Sequence, residues 1–522
     1  MKQLEIEPTS PTPALDRLQA LIARERPVLD ALVRHNANQP LGDYVSERLL
    51  PRNAETIDPG IDFVNAVSTY AGEIYGPEIA AQVEAQLTAN PVINTGPHAG
   101  VNTFPLTFQG SLLVGLGESS MVIVTPCGGV PMNNVSKPMR ALVGKTGVNI
   151  YSNSSAHVLT DAAPAYTPLM VETAKQNTTT QSERSRGKII LTVAEKTALD
   201  QVLSQAYSAD GVFKQTRYVD QAAIVDRQLW HMLFKDQSSF PDLVSLEQEK
   251  ITSRLLEIDL NNPNSLVYQL LFNASLRNDL LSQLDGVPGC WRDENLASLS
   301  DLNSPMDPKE RRSLAEKSMT HFFWGIDEQT REGYPLALTE GEDGLVLRRV
   351  DKLGVTDDIP FTPESLLKNL REHKILPALV LTFTAIQFAR GIRCLGGFMQ
   401  EDYLTRMGQG IANALSQNQK TQWADIVRAS KDIAYTTGMP LVTFKTEDGE
   451  TRLAGPLDII ARGGLDTAQI RQLRSIPLEI AYKMGLPSIA RIILGADFDP
   501  ELLSQAQLEV NLLWEKYLVN LE

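Results

Sequence analysis

The pattern of apolar and polar positions divides the chain into a helical opening, an α/β middle and a mixed tail. Over residues 13–33, Leu15, Leu18, Leu21, Ile22, Val28, Leu29 and Leu32 recur at helical spacing, after a polar, Pro-rich leader. Residues 44–50 predict a further helical turn. Asp58-Pro59-Gly60 is a helix start signal for residues 61–87, and Gly76-Pro77 breaks that stretch. The region 1–90 is therefore expected to be helical.

At Val92 the pattern changes. A short apolar run ends in Asn94-Thr95-Gly96, and the turn Gly96-Pro97-His98-Ala99-Gly100 follows. Helical spacing then resumes through Phe104, Phe108 and Leu112. Strand, glycine turn and helix form the ligand-positioning unit of α/β domains, because a helix start offers unpaired backbone N–H groups. Residues 121–125 are rich in β-branched side chains and end at Pro126-Cys127-Gly128-Gly129, which predicts a buried strand. Residues 148–151 predict the next one. Strands joined through a helix pair in parallel and gather their loops at the carboxyl edge. Residues 91–160 are thus expected to form the first part of a Rossmann-like parallel-sheet core.

Residues 152–188 are rich in Ser, Thr and Asn, end in Ser-Glu-Arg-Ser-Arg-Gly-Lys, and predict a loop or partly ordered insertion. Helical patterns over 191–206, 218–234, 243–258 and 265–284 make 161–315 a mostly helical connecting region. The β pattern returns at residues 321–325. A hairpin is expected where 334–338 and 345–348 flank Gly341 and Gly344. The apolar run 375–388 reads as a buried strand or a core helix. Gly396-Gly397 forms a second glycine turn before a helix over 400–415, whose first turn carries Glu401 and Asp402, as the helix dipole favours. Residues 316–415 are then the second part of the core. In 416–522 a hairpin over 441–444 and 451–454 precedes helices from residue 467 onward.

Composition limits the functions available. The 522 residues, 43% of them hydrophobic, suffice for several buried cores. With 48 basic and 63 acidic residues the net charge is −15, and no basic stripe appears. Nucleic acid and anionic membranes are therefore not expected partners. The longest apolar run falls short of the ~20 residues that cross a bilayer, and the N-terminus lacks the apolar core of a signal peptide. Cys127, Cys290 and Cys394 are far apart with no Cys-x-x-Cys spacing, so neither a disulfide framework nor a zinc site is expected. A cytoplasmic location fits. No His-x-His or His-Glu-x-x-His pattern predicts a metal site, and the sequence leaves the cofactor, ATP included, open.

Several residues carry candidate chemistry. His98 is placed to bind an anion or act as acid/base near neutrality, against the plainer reading of a turn histidine bonded to local backbone. Thr95, Gly96 and Gly100 allow backbone to approach a ligand. Cys127 follows a predicted strand and is a nucleophile only if a base or positive field lies beside it; otherwise it is a bystander thiol. Asn133 and Asn134 read hydroxyl or amide groups without titrating, or simply form a turn. Gly396, Gly397, Asp402 and Tyr403, with Glu401 as a further catalytic candidate, form either a second pocket edge or a solvated helix start. Gly144-Lys145-Thr146 echoes a phosphate loop, but Met139 stands where that loop needs a glycine.

In their order, these segments resemble the putative cysteine ligase family of bacillithiol biosynthesis. The resemblance rests on Thr95-Gly96-Pro97-His98-Ala99-Gly100 followed by Phe104-Pro105-Leu106. It continues through the strand at Val122-Ile123-Val124-Thr125-Pro126 and the aromatic run at His321-Phe322-Phe323-Trp324. It ends with Ile375-Leu376-Pro377-Ala378-Leu379 and the Gly396-Gly397 turn near Glu401 and Tyr403. It implies a Rossmann-like core with helical insertions, a coiled-coil region that supports a homodimer, and a pocket where an amino acid condenses with an amino sugar. Two departures stand out. Pro97-His98 replaces a Gln-Gln pair, and Asn133-Asn134 fall in a segment that is acidic and His-bearing in the family. The expected function is condensation or ligation of an amino acid or amine with a small polar substrate. A non-catalytic binding protein on the same fold is the alternative, and a nucleotidyl-transfer enzyme a weaker one.

Overall fold

Four short parallel strands place the site: β1 (Val92–Asn94), β2 (Met121–Val124), β3 (Asp242–Ser245) and β4 (Arg393–Leu395). They pair in the order β4-β1-β2-β3. Successive side chains of a strand point to opposite faces, and both faces here are covered. Met121 and Ile123 enter one core with Val244 and Cys394, whereas Val122 and Val124 enter another with Leu243 and Leu395. This two-sided burial is why the strands read as continuous apolar runs. Helix α1 (Pro105–Val114) leads from β1 towards β2, and α2 (Tyr218–Met232) precedes β3. Helix α3 (Gln248–Asp259) follows β3, and α4 (Phe398–Gln417) follows β4.

The computed structural model describes residues 13–48, 55–117, 119–183, 186–300, 306–352, 358–431 and 436–522. The Pro-rich leader, the end of the helical turn at Leu50, and Arg184-Ser185 of the expected loop lie outside the described residues.

The helical opening is as expected, with Gly60–Tyr75 and Pro77–Ala89 separated at Gly76, whose φ of 92° suits glycine alone. Three expectations in the middle of the chain are corrected. The helix expected from 243 starts at Gln248, and residues 242–245 are β3, so the connecting region supplies a strand of the central sheet. A short strand with only two apolar residues, Leu243 and Val244, next to a helix cannot be told from its first turn by periodicity alone. Residues 148–151 do not continue the sheet. Thr146–Asn149 pairs antiparallel with Arg140–Val143 in a separate hairpin, and Gly144 at φ 56° makes its turn, so the phosphate-loop echo is a hairpin tip. The expected loop 152–188 holds helix Pro168–Gln176, capped by the Thr167 side chain, and Thr178–Thr180, which pairs in parallel with Ile189–Leu191.

A second, five-stranded sheet contains the expected hairpin Gly333–Gly341/Gly344–Arg349. Both readings of the 375–388 run apply in succession: Ile375–Pro377 pairs with Phe323–Ile326, and helical turns follow from Leu379. In the tail, the hairpin strand Val442–Lys445 also pairs with Val519–Leu521, so the last segment is a strand rather than helix.

Candidate functional site

The chain adds β2 and β3 on one side of β1 and then places β4 on the other. The strand order therefore reverses between β1 and β4, and a crevice opens there at the carboxyl edge. Both glycine turns lie in it and touch. A Cβ on Gly96 would stand 3.3 Å from Gly396 Cα and 3.5 Å from Gly397 N. Thr95 locks the two strand ends together: its N–H donates to Leu395 O at 2.7 Å and its hydroxyl to the same oxygen at 3.0 Å. Gln400 Nε2 in turn donates to Thr95 Oγ1 at 2.6 Å.

Above the strand ends lies a cavity of about 1230 Å³. Thr95, Gly96, His98 and Cys127 line it from β1 and β2, Gln248 and Glu249 from α3, and Gly397, Gln400 and Tyr403 from α4. Its wall continues over Trp324 and Pro335 of the second sheet to Arg311 and Arg312. Drug-sized ligands occupy pockets of roughly 300–1,000 Å³, so there is room for two small reactants.

His98 and Cys127 stand side by side in a parallel bridge beyond the strands proper. Ala99 N–H donates to Cys127 O at 2.7 Å and Cys127 N–H to Pro97 O at 3.1 Å. Burial lowers the His98 pKa below the ordinary imidazole value, and the neighbouring Asn134 amide pulls it partly back. The ring is thus neutral at pH 7, and its Nδ1 has no hydrogen-bond partner.

Cys127 Sγ donates to Glu249 Oε1 at 2.9 Å. Glu249 also accepts Gly128 N–H at 2.5 Å and Gly129 N–H at 2.9 Å. A side chain at Gly128 would overlap the Glu247 carboxylate, so glycine is required where the backbone closes over the two acids. Burial, and then the Glu249 charge, push the Cys127 thiol well above its usual pKa. This corrects the nucleophile assignment: Cys127 stays a protonated donor. Burial also raises the Glu249 carboxyl, against the two glycine N–H groups. Behind this turn, Arg217 bridges the buried Asp161 and Glu247, and His373 reaches Asp161 from the surface. Burial raises Glu247. It also opposes the Asp161 charge, but the Glu247 hydrogen bond and Arg217 prevail and hold that carboxyl below the usual range.

The second glycine turn contributes some of the expected residues, Gly397 and Tyr403, and not others. Gln400 and Tyr403 lie one helical step apart and face the cavity, whereas Glu401 and Asp402 do not line it. Asp402 pairs with Arg26 at 3.4 Å and with Arg406 at 3.0 Å. Glu401 is buried, and that burial, opposed by Arg26, lifts its carboxyl to about 7. The roles expected of Glu401 and Asp402 in binding an amine are therefore corrected, since neither is placed on the wall: Asp402 is held by Arg26 and Arg406, and Glu401 is buried with its Oε2 lacking a hydrogen-bond partner.

Asn133, Asn134 and Gly100 also lie off the cavity wall. Asn133 N–H donates to Ala156 O at 3.0 Å, and Asn134 Oδ1 accepts Ser136 N–H at 2.7 Å, so both shape a turn. Gly100 has φ +123° and packs its Cα against Pro138, where a Cβ would collide at 2.5 Å. Gln248, Glu249 and Arg311 were missed as wall residues. For Glu249 the signal was the pair of acids, Glu247 and Glu249, just beyond an apolar run, hidden once that run was read as helix.

Among the described residues, no group of three or more His, Cys, Asp and Glu side chains is arranged to hold a metal ion. No described helix is long and apolar enough to cross a membrane. No family model, curated protein or solved structure matches the chain. Fold and site define a mixed α/β protein with a ligand-sized cavity at the carboxyl edge of a parallel sheet.

Proposed function

We propose that the protein is an enzyme of small-molecule biosynthesis on a Rossmann-like core, joining an amino acid or amine to a small polar substrate. What carries the reading is the meeting of the two glycine turns at the strand-order reversal, with His98 and Gln400 on the wall of one cavity. The strand order β3-β2-β1-β4 supports the Rossmann-like assignment, since one half of a doubly wound sheet followed by the first strand of the other runs this way. The same pair of turns carries the resemblance to the bacillithiol cysteine ligases, which makes a thiol-bearing amino acid and an amino sugar the first reactants to try.

In this mechanism neutral His98 takes the proton from the attacking amine or thiol as it bonds to the other reactant's carbonyl carbon, and returns it to the carbonyl's departing hydroxyl, which leaves as water when the C–O bond breaks. Gln400 and Thr95 orient the electrophilic group, and the Cys127 thiol fixes Glu249 rather than attacking. The test is a thermal-shift screen with amino acids, amino sugars and nucleotides, followed by turnover assays on pairs that bind. His98→Gln is expected to lower turnover roughly a hundredfold. Full activity in that variant removes His98 from the mechanism, and no binding by any class removes the reading.

A second reading, a binding protein that performs no chemistry, is favoured by the Cys127–Glu249 pair, which hold each other and leave no activated nucleophile. Saturable binding without turnover of any bound pair supports it. Assembly as a homodimer belongs to the enzyme reading and is checked by light scattering.

A further inference from the structure

The wall far from the glycine turns contains a buried guanidinium that no acid among the described residues answers. Arg311 lies in the helix Pro308–Ser318 and is only 6% exposed. Its Nη1 donates to Leu299 O at 2.5 Å and to Val350 O at 3.3 Å. Its Nη2 has no hydrogen-bond partner, and no carboxylate among the described residues forms an ion pair with it. The other cations on this wall are matched: Arg312 with Glu332 at 3.3 Å, and Lys352 with Asp327 at 3.2 Å. A guanidinium does not lose its proton, so burying it unpaired is costly, and its planar fork fits carboxylate and phosphate oxygens in pairs.

The two ends of the cavity are joined by one segment of wall. Pro131 bridges Leu159, and Val158 bridges Glu332 of the second sheet. Among the described residues no Lys or Arg lines the glycine-turn end, whose polar groups include Thr95, His98, Cys127, Gln248, Glu249, Gln400 and Tyr403.

We infer that Arg311 is the centre of an anion subsite, taking a carboxylate or phosphate group of a substrate whose reacting end lies at the glycine turns. This rests on the proposed function for the substrate's role, but the subsite itself is testable without turnover. It orients the reactant: the anionic group is held under the second sheet, and the opposite end is presented to His98.

The probes are inorganic phosphate, malonate and the neutral malonamide, titrated calorimetrically into the full chain at constant ionic strength. One anion is expected to bind saturably and malonamide not at all; whichever anion binds tells phosphate from carboxylate. Arg311→Gln is expected to weaken that binding roughly ten- to a hundredfold. Unchanged affinity in a folded Arg311→Gln protein, or no saturable anion binding by the wild type, overturns the assignment. Because Arg311 also braces Leu299 and Val350, crystals soaked in selenate give an independent measurement. An anomalous peak at the guanidinium supports the subsite, and peaks only elsewhere overturn it. An inactive His98→Gln protein that still binds the anion separates this inference from the catalytic reading, as does an anion-blind protein that still binds amines.

Discussion

The Cys127 thiol and the Glu249 carboxylate are joined at 2.9 Å, with the carboxylate also bound by the two glycine N–H groups that follow the cysteine. Thiol reactivity depends on the thiolate, and burial and this charge both oppose it. Iodoacetamide is therefore expected to label Cys127 slowly at pH 7–8, as followed by mass spectrometry at that residue. Glu249→Gln removes the neighbouring charge and should speed labelling at a given pH. Rapid labelling of the wild type at pH 7 would refute the protonated assignment.

Asp226, on α2, is wholly buried and accepts Asn102 N–H at 2.7 Å and Ser245 Oγ–H at 3.1 Å; burial, against these two donors, raises its carboxyl to about 7. A folded-state pKa above the unfolded value means the native protein holds the proton longer. The associated stability is fully present below pH ~4 and is lost as pH rises through 7. The loss is on the order of 4 kcal/mol. Asp226→Asn should flatten this part of the pH dependence, read by urea unfolding at pH 5 and pH 8. Parallel pH dependences for wild type and variant would dismiss it.

Neighbouring positions on α4 should behave in opposite ways. Gln400→Ala removes the hydrogen bond to Thr95 Oγ1 and a wall residue, so ligand affinity should fall several-fold, at about 1 kcal/mol for the bond. Glu401→Gln should leave affinity unchanged and raise stability above pH 7, where the wild type carries a buried charge. Thermal melts with and without ligand separate the two effects. A ligand defect in Glu401→Gln would return that residue to the site.

Gly100→Ala tests a structural rather than a binding role. Its φ of +123° and the 2.5 Å approach to Pro138 predict a loss of roughly 1–3 kcal/mol, measured as a shift in denaturant midpoint. Ligand affinity of the folded fraction should be retained.

The helical opening, β1, β2, the turn at His98, the Gly396-Gly397 turn and both hairpins were legible because each had a local signature: spacing, a glycine pair, or a start and stop residue. What the sequence left hidden depended on distant partners. Whether residues 242–245 are strand or helix is settled by the pairing of Met121–Val124 with Asp242–Ser245. Whether 148–151 joins the sheet is settled by Arg140–Val143. On α4, the nature of residues 400–403 was readable, but which of them faces the cavity was not. That choice depends on where Arg26 and the N-terminal helices lie. Glu249 and Arg311 entered the cavity wall by the same long-range route.

The contact between Thr95 and Leu395 spans 300 positions of sequence. Structures dominated by such distant pairings fold slowly, because a large loop must close before they form. The crevice between β1 and β4 cannot form until Arg393–Leu395 has been made and has paired with Val92–Asn94. A nascent chain released before β4 has one wall of the site and nothing facing it, so ligand binding reports a completed fold rather than a folded fragment.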